Sequence, residues 1–250
     1  TTPPPMWQVG LSIALGIVPR VEAGAEISLL RRTVLIRAAK IIGLGLALHL
    51  LSFLLMDKEW FRPWGVLQRI GLCFAVVGFL ALHSKVRLQW AVITGLLLGY
   101  WGLLLIGGSF EPWINLASRV DTALLGPLLY QFDPATGLGH DPEGLLSTLP
   151  AIATTLLGLR AGDWLRRGRT MRLVCAGLVA LVLGLLWSQW FPLNKNLWTS
   201  SYVLWTAGWA MLGLAVAHVL IDRRQWPALG RSFGVNAIAA YVGSAAMVYV

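Results

Sequence analysis

Apolar runs of about twenty residues recur eight times along this chain, and no other feature restricts its fold as much. They lie at roughly 4–19, 33–55, 65–83, 89–107, 145–165, 171–191, 197–220 and 232–250, the first being the shortest. A helix needs about 20 mostly apolar residues to cross a bilayer. Hydrocarbon offers no partner for backbone polar groups, so such segments cross as helices. The expected fold is therefore all-α: a polytopic transmembrane helical bundle of about eight spanning segments, forming one domain over residues 1–250. We expect it to be truncated at one or both ends. The last run is still apolar at Val250, and Thr1–Pro5 carries neither the basic flank nor the cleavage pattern of a signal peptide.

Composition agrees, with 57% hydrophobic and 12% charged residues against about 25% charged in soluble domains. The net charge of +9 would point to nucleic acid if the basic residues formed a patch among exposed aromatics. They fall instead in short clusters between apolar runs, so the bilayer is the expected partner and nucleic acid is not. Cys73 and Cys175 both lie inside apolar runs, which leaves no disulfide framework and no metal cluster. Phosphate loops, dinucleotide fingerprints and metalloprotease helices are also missing.

Charge alternates from one connection to the next. Arg20, Arg31, Arg32, Arg37 and Lys40 lie between runs one and two, and Lys85 and Arg87 between three and four. Arg160, Arg166, Arg167, Arg169 and Arg172 mark the junction of five and six, and Arg223, Arg224 and Arg231 that of seven and eight. The other connections hold Lys58, Arg62, Arg69, Arg119 and Lys195 against seven acids: Asp57, Glu59, Glu111, Asp121, Asp133, Asp141 and Glu143. Lys and Arg accumulate on the cytoplasmic side of membrane proteins, so the basic connections are expected there. Three polar patches, Pro63–Ile70, His140–Pro150 and Pro192–Trp198, then share the outer side. So does the longest connection, 108–144, whose stretch 112–121 reads as an amphipathic surface helix.

The candidate residues each admit a plainer reading. Asp141, Pro142 and Glu143 suit the first turn of a helix, yet His140 beside them makes an acid and imidazole group able to serve as base or orienter, and the three are the catalytic candidates. Arg69, with Gln68, sits about one turn inside an apolar run. An unpaired guanidinium is costly there, so it should snorkel or meet an acid, with Asp141 or Glu143 as natural partners. Asn194, Lys195, Asn196 and Trp198 are substrate-binding candidates with Gln68 and Arg69, although Asn196 also reads as a helix N-cap. Trp60, Trp64, Trp190 and Trp198 fit an interfacial aromatic belt, or rings stacking on a sugar. Arg37, Lys40 and Asn236 are candidates for holding a phosphorylated co-substrate on the inner side. His49, His83 and His218 stand isolated. Gly95 with Gly99, Gly158 with Gly162, and Gly230 with Gly234 have the spacing of close helix contacts, and such faces are compatible with a homo-oligomer.

Four ordered motifs carry a resemblance: Gly65-Val66-Leu67-Gln68-Arg69-Ile70, then Asp141-Pro142-Glu143-Gly144-Leu145-Leu146-Ser147-Thr148, then Pro192-Leu193-Asn194-Lys195-Asn196-Leu197-Trp198, and Gly234-Val235-Asn236 before Tyr241-Val242-Gly243. In order and spacing, over nearly the whole chain, they resemble the heparan-alpha-glucosaminide N-acetyltransferase family and its bacterial transmembrane relatives. The resemblance implies a polytopic acetyltransferase that takes acetyl-CoA as co-substrate from the cytoplasmic side and acetylates an amino sugar or glycan on the outer side. It also implies a catalytic histidine on an outer loop after the family's first membrane helix. No residue of this chain matches that stretch, so the role is carried to none of them. The leading expectation is an acyltransferase of a bacterial inner membrane with its mouth toward the periplasm. A sugar transporter with a polar cavity and a non-catalytic membrane scaffold are the alternatives.

Overall fold

The computed structural model describes residues 5–56, 59–228 and 237–249. Helices α1 (Pro5–Gly16) and α2 (Val18–Glu22) precede the long α3 (Ile27–Leu55), followed by α4 (Val66–His83) and α5 (Val86–Ile106). The long connection is folded, with α6 (Leu116–Leu125), a 3-10 turn at Gly126–Leu128, and a hairpin of β1 (Gln131–Asp133) and β2 (Leu138–His140), antiparallel with Gln131 opposite His140. Then come α7 (Thr148–Arg166), α8 (Thr170–Trp187), α9 (Ser200–Ala217) running on as a π-helical turn to Arg223, and α10 (Ala237–Tyr249). Helices thus stand at all eight expected places.

Five of them, α3, α4, α5, α8 and α9 with its extension, are long and apolar enough to cross a membrane. The count of eight spans goes beyond that. Helix α1 has 12 residues and α10 has 13. Helix α7 misses for another reason. It is the central helix, buried at nearly every position from Thr148 to Asp163, and protein rather than lipid surrounds it. Polar groups can lie at membrane depth when neighbouring helices satisfy them, so α7 keeps Thr154, Thr155, Arg160 and Asp163. The hydroxyls of Thr154 and Thr155 donate to the carbonyls one turn back, at 2.9 Å each.

Glycine sets the closest approach. A Cβ on Gly158 would lie 2.0 Å from the Trp7 carbonyl oxygen, and one on Gly10 would lie 1.8 Å from that of Thr155, so α1 and α7 touch backbone to backbone. Gly158 and Gly162 therefore act as their spacing predicts. Gly95 and Gly99 do not, since a Cβ at either would meet nothing within 4 Å. Gly230 and Gly234 lie outside the described residues.

The contacts sort the connections to two ends. At one end Arg31 Nε donates to His83 Nε2 at 2.9 Å, Arg166 pairs with Glu22 at 2.6 Å, and Arg223 reaches Thr170 at 3.4 Å. At the other, Arg62 meets Asp141 at 2.6 Å and Tyr100 donates to the Leu197 carbonyl at 2.6 Å. The alternation read from charge is thus matched by the packing.

Candidate functional site

Among the described residues Arg69 is the only fully buried arginine at the end of the bundle where the hairpin lies, with 0% of its surface exposed. Its Nη1 donates to the Pro142 carbonyl at 3.1 Å, and Nη2 donates to the carbonyl of Ser147 and, at 3.2 Å, to its hydroxyl. The guanidinium lies over the Trp198 ring, 4.6 Å from its centroid. Trp198 is itself pinned, its indole N–H donating to Thr154 Oγ1 at 3.1 Å, with φ at +52°, a conformation uncommon for a bulky residue. One guanidinium therefore gathers three of the four motifs. The fourth lies partly outside the described residues, Asn236 included.

The expected partner of Arg69 was Asp141 or Glu143, and the structure gives both acids to Arg62 instead. Arg62 Nη2 lies 2.6 Å from Asp141 Oδ1 and 3.0 Å from Glu143 Oε2, while Nε donates to Asp141 Oδ2 at 3.2 Å. The cause is geometric. Asp141 faces the hairpin, where it also accepts the backbone N–H of Tyr130 at 3.1 Å and of Glu143 at 2.9 Å. Arg69 rises from inside α4 beneath the bend Pro142–Ser147 and meets carbonyls. Its Nε has no partner among the described residues.

Asp141-Pro142-Glu143 has the pattern of a helix start, yet no helix starts there. The helix begins at Thr148 with Ser147 at its N-cap, because the backbone N–H groups of Leu145 and Leu146 donate to Asp121 Oδ1 at 2.9 and 3.3 Å rather than opening a helix. Asp121 comes from α6, whose own start is capped by the Asn115 side chain accepting from Ser118 N at 2.8 Å. Burial pushes the Asp121 carboxyl up to about 6, with the charge of Asp141 adding to the effect and the two backbone N–H groups and Arg69 opposing it. Gly144 sits against it. A Cβ there would fall 1.8 Å from Asp121 Oδ2.

His140 is 8% exposed, with Nδ1 3.2 Å from the Ser118 hydroxyl and its ring tilted against Trp113. Burial holds its pKa below the ordinary value, while Asp141 and Glu143 pull it up. The imidazole is thus neutral near pH 7. Glu143 keeps 26% of its side chain exposed, against 1% for Asp141, so it is the more accessible acid of the motif.

In the third motif only Trp198 joins the cluster. The Asn194 side chain accepts from Asn196 N and Leu197 N at 2.9 and 3.1 Å, shaping a turn, and Lys195 and Asn196 are exposed. Thr199, rather than Asn196, caps α9. Gln68 is 2% exposed, with Nε2 3.5 Å from His49 Nδ1. That nitrogen lies 2.6 Å from the Arg62 carbonyl and so carries its proton toward it. Arg37 and Lys40 are exposed on α3 and take no part in the cluster. Of the four tryptophans placed in a belt, Trp60 and Trp190 are 52% and 69% exposed, whereas Trp198 belongs to the site and Trp64 donates to the Glu143 carbonyl at 2.6 Å. Sequence reasoning missed Arg62, Asp121, Tyr130 and Thr154 as site-builders. For Arg62 a signal was there: a base three residues before a motif, in a connection on the side that carries most of the acids.

Fold and site together define an integral membrane protein of helical class, with a polar cluster assembled at one end of the bundle from separate connections. No protein-family model matches the chain. It is similar to heparan-alpha-glucosaminide N-acetyltransferase of Homo sapiens, 29% identical over 299 residues that take in 94% of this chain and 45% of that protein. It is also similar to the Mus musculus protein of the same name, 34% identical over 149 residues, 51% of this chain and 22% of that protein. These likenesses support membership of the heparan-alpha-glucosaminide N-acetyltransferase family, in agreement with the motifs. The chain spans less than half the length of the relatives it matches.

Proposed function

We propose that this chain is the membrane-embedded part of an acetyltransferase that moves an acetyl group from acetyl-CoA, arriving from the cytoplasmic side, to an amino sugar or glycan on the outer side. In a bacterial inner membrane the mouth would face the periplasm. The observation that supports this best is the convergence of three of the four motifs on Arg69, combined with a relative that bears an acetyltransferase name and is similar over 94% of this chain.

In the reaction the acceptor amine attacks the thioester carbonyl, a C–N bond forms, the C–S bond breaks, and CoA leaves as the thiol. The amine must give up a proton to a base, and the oxyanion of the tetrahedral intermediate needs donors. Arg69 holds the bend Pro142–Ser147 and Trp198 in register, which makes it a positioning residue. Asp141, filled by its partners, fixes Arg62. Glu143, exposed beside that guanidinium, and neutral His140 are the groups left to orient substrate or accept a proton. Lys195 and the Asn194 and Asn196 amides lie at the same end as acceptor contacts. Arg37 and Lys40 stand on α3 toward the basic end, where the phosphates of CoA would meet positive charge; Asn236, grouped with them from the sequence, lies outside the described residues.

The test is release of free CoA thiol by detergent-solubilised protein given acetyl-CoA and glucosamine. Release should require the acceptor. Arg69→Lys, which keeps the charge but loses the planar fork, should lower turnover about tenfold or more. Thiol release that ignores the acceptor, or that the substitution leaves alone, would sink the proposal.

A further inference from the structure

Beside the Arg69 cluster, and outside every motif except through Arg62's grip on Asp141 and Glu143, lies a cavity of about 400 Å³. Sites for small molecules run from roughly 300 to 1,000 Å³. One wall is the end of α3 and the loop after it, with His49, Glu59, Trp60 and Arg62; the other is the hairpin and the turn before it, with Tyr130 and Phe132. Trp60 and Tyr130 are 52% and 58% exposed, so two large rings stand open at its rim. Glu59 is exposed and makes no ion pair among the described residues.

The walls are fixed. Arg62 lies over the Tyr130 ring at 4.8 Å while gripping Asp141 and Glu143, and the backbone of Tyr130 donates to Asp141. His49 is held by the Arg62 carbonyl. A ligand here would rest against the same bend that Arg69 organises from the other side.

We propose that this cavity is the docking site for the amino-sugar acceptor, with the sugar ring laid on Trp60 and Tyr130 and its ammonium set against Glu59. The assignment rests on the acetyltransferase reading for the class of acceptor. The chemistry of the walls supports it independently. Open aromatic faces take up the apolar face of a hydroxylated ring and attract a cation. The carboxylate adds a charge-assisted hydrogen bond to the amine, and Arg62 and His49 supply polar neighbours for hydroxyl groups. A neutral sugar would find the rings and lose the carboxylate contact.

Saturation-transfer NMR on the full chain in detergent micelles, with glucosamine and with glucose, tests this without any need for turnover. Glu59→Gln should weaken glucosamine about tenfold and glucose hardly at all, and Trp60→Ala should weaken both, with Trp60→Phe restoring them. Both side chains are exposed, so the variants leave the packing intact. Failure of the wild type to bind glucosamine, or binding that neither Glu59→Gln nor Trp60→Ala alters, overturns the proposal. Binding with this pattern but without release of CoA thiol would overturn the transferase reading and leave the docking site standing. Transfer whose KM for glucosamine is the same in all variants would do the reverse.

Discussion

A carboxylate offers about four lone-pair positions, and Asp141 has all of them occupied: two by Arg62, one by Tyr130 N and one by Glu143 N. That saturation is why a residue with the look of a base in the sequence serves the structure as a clamp. Asp121 is the opposite case. It is 1% exposed and, among the described residues, meets no cation in contact, only two backbone N–H groups. Its carboxyl is raised from 3.8 to about 6, so the folded state prefers the neutral form. The stability this lends is present in full below the ordinary aspartate value and is lost as pH rises through about 6. Asp121→Asn keeps the accepting oxygen and stays neutral. Its melting temperature in detergent should therefore gain on the wild type as pH is raised from about 4 to about 7, levelling off above. A difference that did not change with pH would contradict the burial argument.

Among the elements, α7 decides the most. Its placement at the centre lets it carry polar side chains that a lipid-facing helix could not, and its glycines allow α1 to lie against it. Adding a methyl group at Gly158 drives a Cβ into the Trp7 carbonyl, where neither backbone can yield cheaply. Gly158→Ala should cost about 1–3 kcal/mol or more, as overpacking does, seen as a lower melting temperature. Gly95→Ala, which meets nothing within 4 Å, should stay within about 0.5 kcal/mol of the wild type. Equal effects at the two positions would mean that the α1–α7 contact does not form. The hairpin and α6 matter in another way. They turn the longest connection into a wall, bringing Asp121, Tyr130 and His140 to the bend that follows.

For the molecule as a whole, the question is which end faces the cytosol. Glu22 with Arg166 and Arg167, Arg31 with His83, and Arg223 with Thr170 mark one end; Arg62 with Asp141 and Glu143 marks the other. The excess of Lys and Arg at the first end argues for a cytoplasmic placement. Single cysteines introduced at exposed positions, in a chain lacking Cys73 and Cys175, would report it. Lys195→Cys should react with an impermeant maleimide on intact cells, and Arg169→Cys only after permeabilisation. The opposite pattern would invert the proposed route of the acetyl group.

The apolar runs, the charge alternation and the motif order were legible without coordinates, because each rests on local quantities: the length needed to cross hydrocarbon, the net charge of a connection, the identity of neighbouring residues. Helix placement followed from them, and so did the likeness to the N-acetyltransferase relatives. Pairing was not legible. That Arg62 rather than Arg69 takes Asp141 and Glu143, that the Lys195 and Asn196 side chains stay out of the Arg69 cluster that Trp198 joins, and that Glu59, Trp60 and Tyr130 line one cavity all depend on contacts between residues as many as 81 positions apart. Which of several equally polar groups ends up facing another is set by how helices and hairpin stack. Only the tertiary structure holds that information, because a guanidinium gives up water for whichever acceptors the packed chain brings within reach.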